Sequence, residues 1–207
     1  MSDSAESFSG EDYDHHFSLK VTAFEHLLGP MHPLVRHAII PYAVGGAVDM
    51  YYFPNATEGT AFVTMELIEP DGTGPLPSRV GTYELIAFTR HKIGDSSSEK
   101  PFQTLERRIC GIFTTVGRYS TEAILNPGDT CEVPAGDGPN CCLLFDEFTN
   151  PQQRLQIGDS QHALLLCIEV FPQEMAFAVE HGSARLLDRL KSHGVYPYSD
   201  LDRPPAV

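Results

Sequence analysis

The chain is poor in positive charge. It has 14 lysine and arginine residues against 28 aspartate and glutamate residues in 207, a formal net charge of -14. Such a field repels phosphate backbones and anionic lipid surfaces, so we expect neither a nucleic-acid-binding protein nor a membrane-bound one. The same field attracts basic proteins. A basic protein partner is therefore one hypothesis, and a charge that serves solubility alone is the other.

The sequence also lacks the signals of export. No apolar run approaches the roughly 20 residues that cross a bilayer, and the amino end, MSDSAESFSGED, is acidic where a signal peptide would be basic and then apolar. The five cysteines are odd in number and form no disulfide framework. Cys110, Cys167 and one or other of Cys141 and Cys142 lie in apolar segments, where a thiol acts as a small buried hydrophobe. These features favour a reducing compartment, and we expect the cytoplasm.

A cofactor or metal site is not indicated. Of the nine histidines only His15 and His16 are close in sequence, and adjacent residues share neither a helix face nor a strand face. Gly45 and Gly46 are followed by no lysine or further glycine of a phosphate-binding loop, so they indicate a turn. We expect no metal and no cofactor.

Two arrangements keep a small cytoplasmic hydrolase open as an alternative. His91 or His162 would have to meet Cys110 or Cys167 in space to form a nucleophile and its base. Buried structural thiols are the more common outcome.

The second arrangement is a pair of carboxylates. Asp146 with Glu147, or Asp200 with Asp202, would serve a paired-acid hydrolase. Both pairs flank loops rich in proline or asparagine, where acids are usually solvated or meet a basic partner. A structural homodimer is a third alternative, and it would expose a large apolar patch.

The hydrophobic pattern predicts one domain. Residues 1–12 are polar and acidic and are expected to form a disordered tail, and no linker divides residues 13–207. The spacing predicts helices over 13–28 or 15–28, 102–119, 172–180 and 183–193, with a strand and turn as the alternative for the third. Extended segments or strands are predicted over 36–43, 48–53, 61–68, 83–89, 141–145 and 163–171, and residues 126–140 are predicted as a long loop holding at most one short strand. This order predicts an α+β fold in which a mixed β-sheet has flanking helices.

Four segments in this order carry a family resemblance: VTMELIEP, GTYELIAFTR, PFQTLERR and LLLCIEVFPQEMAFAVEHGSARLLDRL. From about Ser18 to Arg203 the chain resembles a Suppressor of Fused domain of the bacterial stand-alone type. The resemblance implies a single sandwich-like domain that holds another protein without catalysis. Animal members add a second domain and grip a short peptide as an added strand, whereas bacterial relatives are thought to be immunity proteins that neutralise toxins. Since this chain ends soon after Arg203, we expect the second lobe to be missing.

The resemblance also implies partner-binding residues. The Gly-Asp of NPGDTCEV corresponds to Asp129, and the Pro-Gln-Glu-Met segment corresponds to Glu174. Each has a simpler alternative, because Asp129 can close a turn and Glu174 can favour a helix start. Asp146 and Glu147 complete the predicted partner-binding set, since exposed acids at a strand end can meet a basic protein.

Overall fold

The computed structural model describes residues 9–97, 99–135, 138–148 and 153–207. Within these ranges the helices are α1 (Gly10–Leu28), α2 (Glu99–Tyr119), α3 (Pro172–His181) and α4 (Ser183–Ser192). The strands are β1 (Tyr51–Phe53), β2 (Thr60–Val63), β3 (Tyr83–Thr89), β4 (Thr130–Ala135), β5 (Gly138–Glu147), β6 (Leu155–Ile157) and β7 (Ser160–Val170). None of the described helices is both long and apolar enough to cross a membrane.

The strands form one mixed sheet in the order β1-β2-β3-β7-β5-β4, with β6 paired to β7. The central pair, β3 and β7, is parallel and aligns Leu85 with Leu165. The other pairs are antiparallel. The predicted α+β fold with a mixed sheet and flanking helices is therefore confirmed.

Helices cover both faces of this sheet. Along β7, Leu164, Leu166 and Ile168 join a core with α1, α3 and α4. Leu165 and Cys167 point the other way into a core with α2. Burial on both faces explains why β7 is a continuous apolar run instead of an alternating one.

Helix α1 begins earlier than the sequence predicts. Ser9 Oγ accepts a hydrogen bond from the Asp12 amide at 3.3 Å, and the Asp12 carboxylate accepts one from the Ser9 amide at 2.7 Å. This reciprocal cap starts the helix at Gly10. Residues 10–12 of the predicted acidic tail are thus helical, and residues 1–8 lie outside the described part of the chain.

Strand β2 is shorter than the strand predicted over 61–68, because the chain turns around Glu84. The Glu84 carboxylate accepts hydrogen bonds from the amides of Leu67 at 3.2 Å and Ile68 at 3.1 Å. Lys20 Nζ lies 3.0 Å from the same carboxylate, and both side chains are buried. Amides that bind a carboxylate cannot join a β-ladder, so the apolar run leaves the sheet.

The prediction of a long loop with at most one short strand over 126–140 is correct about a short strand but wrong about the extent of the loop. Strand β4 and the start of β5 occupy most of this segment and align Cys131 with Leu143. Strand β6 falls in a segment for which no strand is predicted. The segment over 36–43 forms isolated β-bridges, from Arg36 to Met50 and from Pro41 to Ala47, and then enters a 3-10 turn at Tyr42–Val44.

The C-terminal helices follow the prediction closely. Pro172 opens α3, so the helix is correct and the alternative strand and turn is wrong. Leu186 and Leu190 of α4 are fully buried, and Gly182 is the cap residue where the sequence predicts Ser183. Beyond α4 the chain packs Tyr196 and Tyr198 against the core on the α1 side of the sheet.

Candidate partner-binding site

The main path of paired strands ends at β1 and at β4, and further backbone lies along the outer side of β1. Beside β1, the His32 amide donates to the Tyr52 carbonyl oxygen at 2.8 Å, and Arg36 exchanges backbone hydrogen bonds with Met50. Strand β4 lies at the other end and pairs with β5. Within the described ranges no further strand lies on its outer side. We call this outer side of β4 the open edge.

The register shows which backbone groups face outward. The Phe145 amide of β5 donates to the Asp129 carbonyl oxygen at 3.0 Å, and Thr130 aligns with Leu144. Bonded and non-bonded pairs alternate in an antiparallel ladder. The N–H and C=O groups of Thr130 and Glu132 therefore point away from β5, where they can pair with an added strand.

The C-terminal end of β4 is poorly suited to pairing with another strand. Pro134 has no N–H to offer, and the register shifts between Val133 and Ala135. Both features limit unwanted pairing of edge strands. The pairing-competent part of the open edge is therefore the short stretch from Thr130 to Glu132.

One groove borders the start of β4 and brings together two predicted site residues. It has a volume of about 490 Å³ and contains both Asp129 and Asp146. We call it the Asp129–Asp146 groove. Its other lining residues are Arg79, Asn126, Pro127, Gly128, Ser183, Ala184 and Leu187.

Both acids in this groove already have local partners. The Asp129 carboxylate accepts a hydrogen bond from the Asn126 amide at 2.8 Å, so it does close a turn. Asp146 accepts one from the Tyr196 hydroxyl at 3.1 Å, and Glu147 lies 3.5 Å from Arg154 outside the groove. Each of the three is partly exposed. Their contact with a partner remains a prediction.

Glu174 lies elsewhere and is completely buried. Its carboxylate accepts hydrogen bonds from both terminal nitrogens of Arg203, at 2.6 and 2.9 Å. It also accepts hydrogen bonds from the backbone amides of Ala206 at 2.8 Å and Phe171 at 2.9 Å. Burial raises the pKa of Glu174, but these hydrogen bonds outweigh burial and hold the pKa below its ordinary value. The side chain thus ties the C-terminal segment to α3. Its direct contact with a partner stays a prediction, for which it offers no exposed surface.

A second groove was not foreseen from the sequence. It lies between α2 and β4, has a volume of about 540 Å³, and is called the β4–α2 groove here. Its lining residues are Thr104, Arg107, Arg108, Gly111, Ile112, Thr115, Pro134 and Cys141. The prediction for residues 126–140 allowed one short strand but gave it no place in the sheet, so no sheet edge was expected here. The alternation of polar and apolar residues in Thr-Cys-Glu-Val, followed by proline, was the available signal.

Among the described residues, no hydrogen bond joins His91 or His162 to Cys110 or Cys167. His162 Nδ1 lies 2.6 Å from Thr82 Oγ1, and Cys110 Sγ lies 3.7 Å from the Val48 carbonyl oxygen. Burial raises the pKa of the Cys110 and Cys167 thiols. A raised pKa keeps a thiol protonated, which is the opposite of an activated nucleophile.

In the Asp200–Asp202 pair of the paired-acid alternative, Asp200 has a structural role. Asp200 is buried, accepting hydrogen bonds from Thr89 Oγ1 at 2.5 Å and from the Arg90 amide at 2.8 Å. Its carboxylate therefore fixes the last segment against β3. Among the described residues, no three histidine, cysteine, aspartate or glutamate side chains are placed to hold one metal ion.

Comparison with known proteins identifies the fold. No protein-family model matches the chain, and no curated protein matches its sequence. A chain in the crystal structure of the Sufu-Fu complex is similar in structure, with a TM-score of 0.58 and 15% sequence identity over 94% of this chain and 91% of that chain. The protein therefore has a Suppressor of Fused-like α+β fold, and the fold expected from the four sequence segments is confirmed.

Proposed function

We propose that this protein is a non-enzymatic protein-binding module of the Suppressor of Fused type, which receives an extended segment of its partner at the open edge. The outward N–H and C=O groups of Thr130 and Glu132 carry this proposal. An added strand would satisfy them with main-chain hydrogen bonds, as in other proteins that bind peptides by strand addition. The similar structure is that of a Sufu-Fu complex, which agrees with a binding role.

The partner is a basic protein. The net charge of -14 supplies long-range attraction, and Glu132, Asp129 and Asp146 place acids on or next to the open edge, while Glu147 follows Asp146 at the end of β5. Opposite charge speeds encounter between two proteins, and salt screens the effect. Binding should therefore weaken as ionic strength rises.

The biological role that we propose is immunity. The sequence resembles bacterial stand-alone Suppressor of Fused domains, whose implied role is to neutralise toxins. A basic toxin in the cytoplasm would suit both the charge and the thiol chemistry of this chain. The open edge would then hold a segment that the toxin needs for its own activity.

Co-expression with a toxin encoded beside the gene tests the proposal. The wild-type protein should form a stoichiometric complex and restore growth of cells that express the toxin. Glu132→Pro removes an outward N–H without breaking the pairing of β4 with β5. Loss of that hydrogen bond and the clash of the ring with an added strand should lower affinity at least about tenfold.

Charge is tested separately with Glu132→Lys. The matched control is Glu58→Lys, which makes the same change at an exposed position between β1 and β2, at the other end of the sheet. Glu132→Lys should reduce the association rate more than Glu58→Lys does. A complex that resists both Glu132 variants while they remain folded by circular dichroism would refute binding at the open edge, and affinity independent of salt would refute the basic partner.

A further inference from the structure

We infer that the partner's added strand is recognised through the β4–α2 groove, which takes a carboxylate side chain at Arg107 and a bulky apolar side chain beside Gly111. This inference rests on the proposed strand addition at the open edge. It adds the local sequence chemistry of the bound segment, which the overall charge does not specify.

The position of the groove makes it available to an added strand. Pro134 of β4 and Cys141 of β5 line one side, and residues of α2 line the other. Side chains of a strand alternate between the two faces of a sheet. In an added strand that pairs at Thr130–Glu132 and continues past Pro134, every second side chain would therefore lie on the α2 side, against this groove.

Gly111 gives the groove its space. It lies in the interior of α2, where glycine is less favourable than alanine by about 1 kcal/mol. A Cβ atom built at Gly111 meets no heavy atom within 4 Å, so close packing does not require the glycine. Its neighbour Ile112 is buried and contributes apolar lining. The missing side chain thus leaves room for an apolar group from outside.

Two arginines line the groove, and their charges differ in availability. The guanidinium of Arg108 is already engaged, since its Nε lies 2.7 Å from both carboxylate oxygens of Glu169. Arg107 is exposed, and its Nε donates to the Gln103 carbonyl oxygen at 3.2 Å. Among the described residues, no carboxylate forms an ion pair with Arg107. A carboxylate from the partner would supply this charge-assisted contact.

The spacing of the two subsites matches a strand. Arg107 and Gly111 are four residues apart in a helix, a rise of about 6 Å. Alternate side chains of a strand are separated by about 6.5 Å. A segment running along α2 can therefore present a carboxylate and an apolar side chain, separated by one residue, to the two subsites together.

Selection from a displayed library of short random peptides tests the inference. Wild-type protein should enrich peptides in which Asp or Glu and a large apolar residue are separated by one position. Arg107→Glu should shift the charged position to Lys or Arg, while the control Lys100→Glu, an exposed change on the same helix, should not.

Gly111→Leu fills the groove without disturbing packing, and it should weaken the best selected peptide at least about tenfold. The control is Gly10→Leu at the start of α1, where a Cβ also meets nothing within 4 Å. Circular dichroism and thermal unfolding should show Gly111→Leu to be as stable as wild type or more so, because leucine favours a helix.

The outcomes separate the inference from the proposed function. Peptides that lose binding in Glu132→Pro but not in Gly111→Leu or Arg107→Glu would overturn the groove and leave strand addition standing. Peptides that bind all three variants as tightly as wild type would overturn both. Failure to enrich any peptide above an unrelated acidic protein would also count against both.

Discussion

Replacing Glu174 with alanine should destabilise the fold strongly, because it leaves the guanidinium of Arg203 buried without its counter-charge. The side chain of Arg203 is 9% exposed and that of Glu174 is 0% exposed. Breaking a buried ion pair by removing one partner costs about 3–5 kcal/mol. For a domain of this length that loss lowers Tm by about 6–20 °C.

Urea unfolding followed by circular dichroism measures this loss, and a double-mutant cycle assigns it to the pair. Arg203→Ala in the Glu174→Ala background removes the uncompensated charge, so the double variant should lose less stability than the two single changes added together. Urea unfolding at several pH values tests how the carboxylate of Glu174 contributes to stability. Because the folded pKa of Glu174 is lowered, its carboxylate stabilises the fold above the ordinary carboxyl pKa, and this stabilisation is lost as pH falls through the folded pKa. Glu174→Gln should not show this loss of stability at low pH.

If Glu174→Ala changed the free energy of unfolding by no more than about 0.5 kcal/mol and yet abolished partner capture, Glu174 would be a direct contact. The buried anchor seen in the structure would then be unimportant for folding.

Three further outcomes are expected. Lys20→Met should cost about 3–5 kcal/mol in urea unfolding, since it leaves the Glu84 carboxylate buried and unpaired, and adding Glu84→Gln should recover part of that loss. Burial raises the pKa of Glu66 to about 7, so the free energy of unfolding of the wild-type protein should fall as pH rises through that value. Glu66→Gln should remove this dependence, and the same pH dependence of unfolding in wild type and variant would contradict it. All five cysteine thiols have raised pKa values, so alkylation monitored by mass spectrometry should be slow in the native protein and fast in urea; rapid native labelling would exclude inert thiols.

Elements with a strong local signal were predictable. Strand β3 coincides with the strand predicted over 83–89, because both of its faces are buried and its residues are apolar apart from Glu84 and the terminal Thr89. Helix α2 was expected from its apolar stripe despite Gly111. The end of β2 was not predictable, since it depends on a carboxylate of β3 that the sequence does not place beside the following chain.

The candidate site was predicted only in part. The structure brings Asp129 and Asp146 into one groove, although they are far apart in sequence. Glu174 lies in one of the family segments, but its carboxylate is hydrogen-bonded to Arg203 and to the Ala206 amide. The sequence does not show this pairing, because it depends on how the last residues fold back onto α3. One short strand was allowed within residues 126–140, but the position of β4 was not predicted, because the surrounding proline and glycine residues signal turns more strongly than its short alternation signals a strand.

The parallel pairing of β3 with β7 has a consequence for biosynthesis. The two central strands are separated by more than seventy positions, and everything between them must leave the ribosome before they can meet. Contacts of such long range are slow to form, because closing the intervening loop costs entropy before the contact rewards it. The two parts of the sheet, β1-β2-β3 and β4-β5, therefore cannot be joined until β7, in the last quarter of the polypeptide, has been translated.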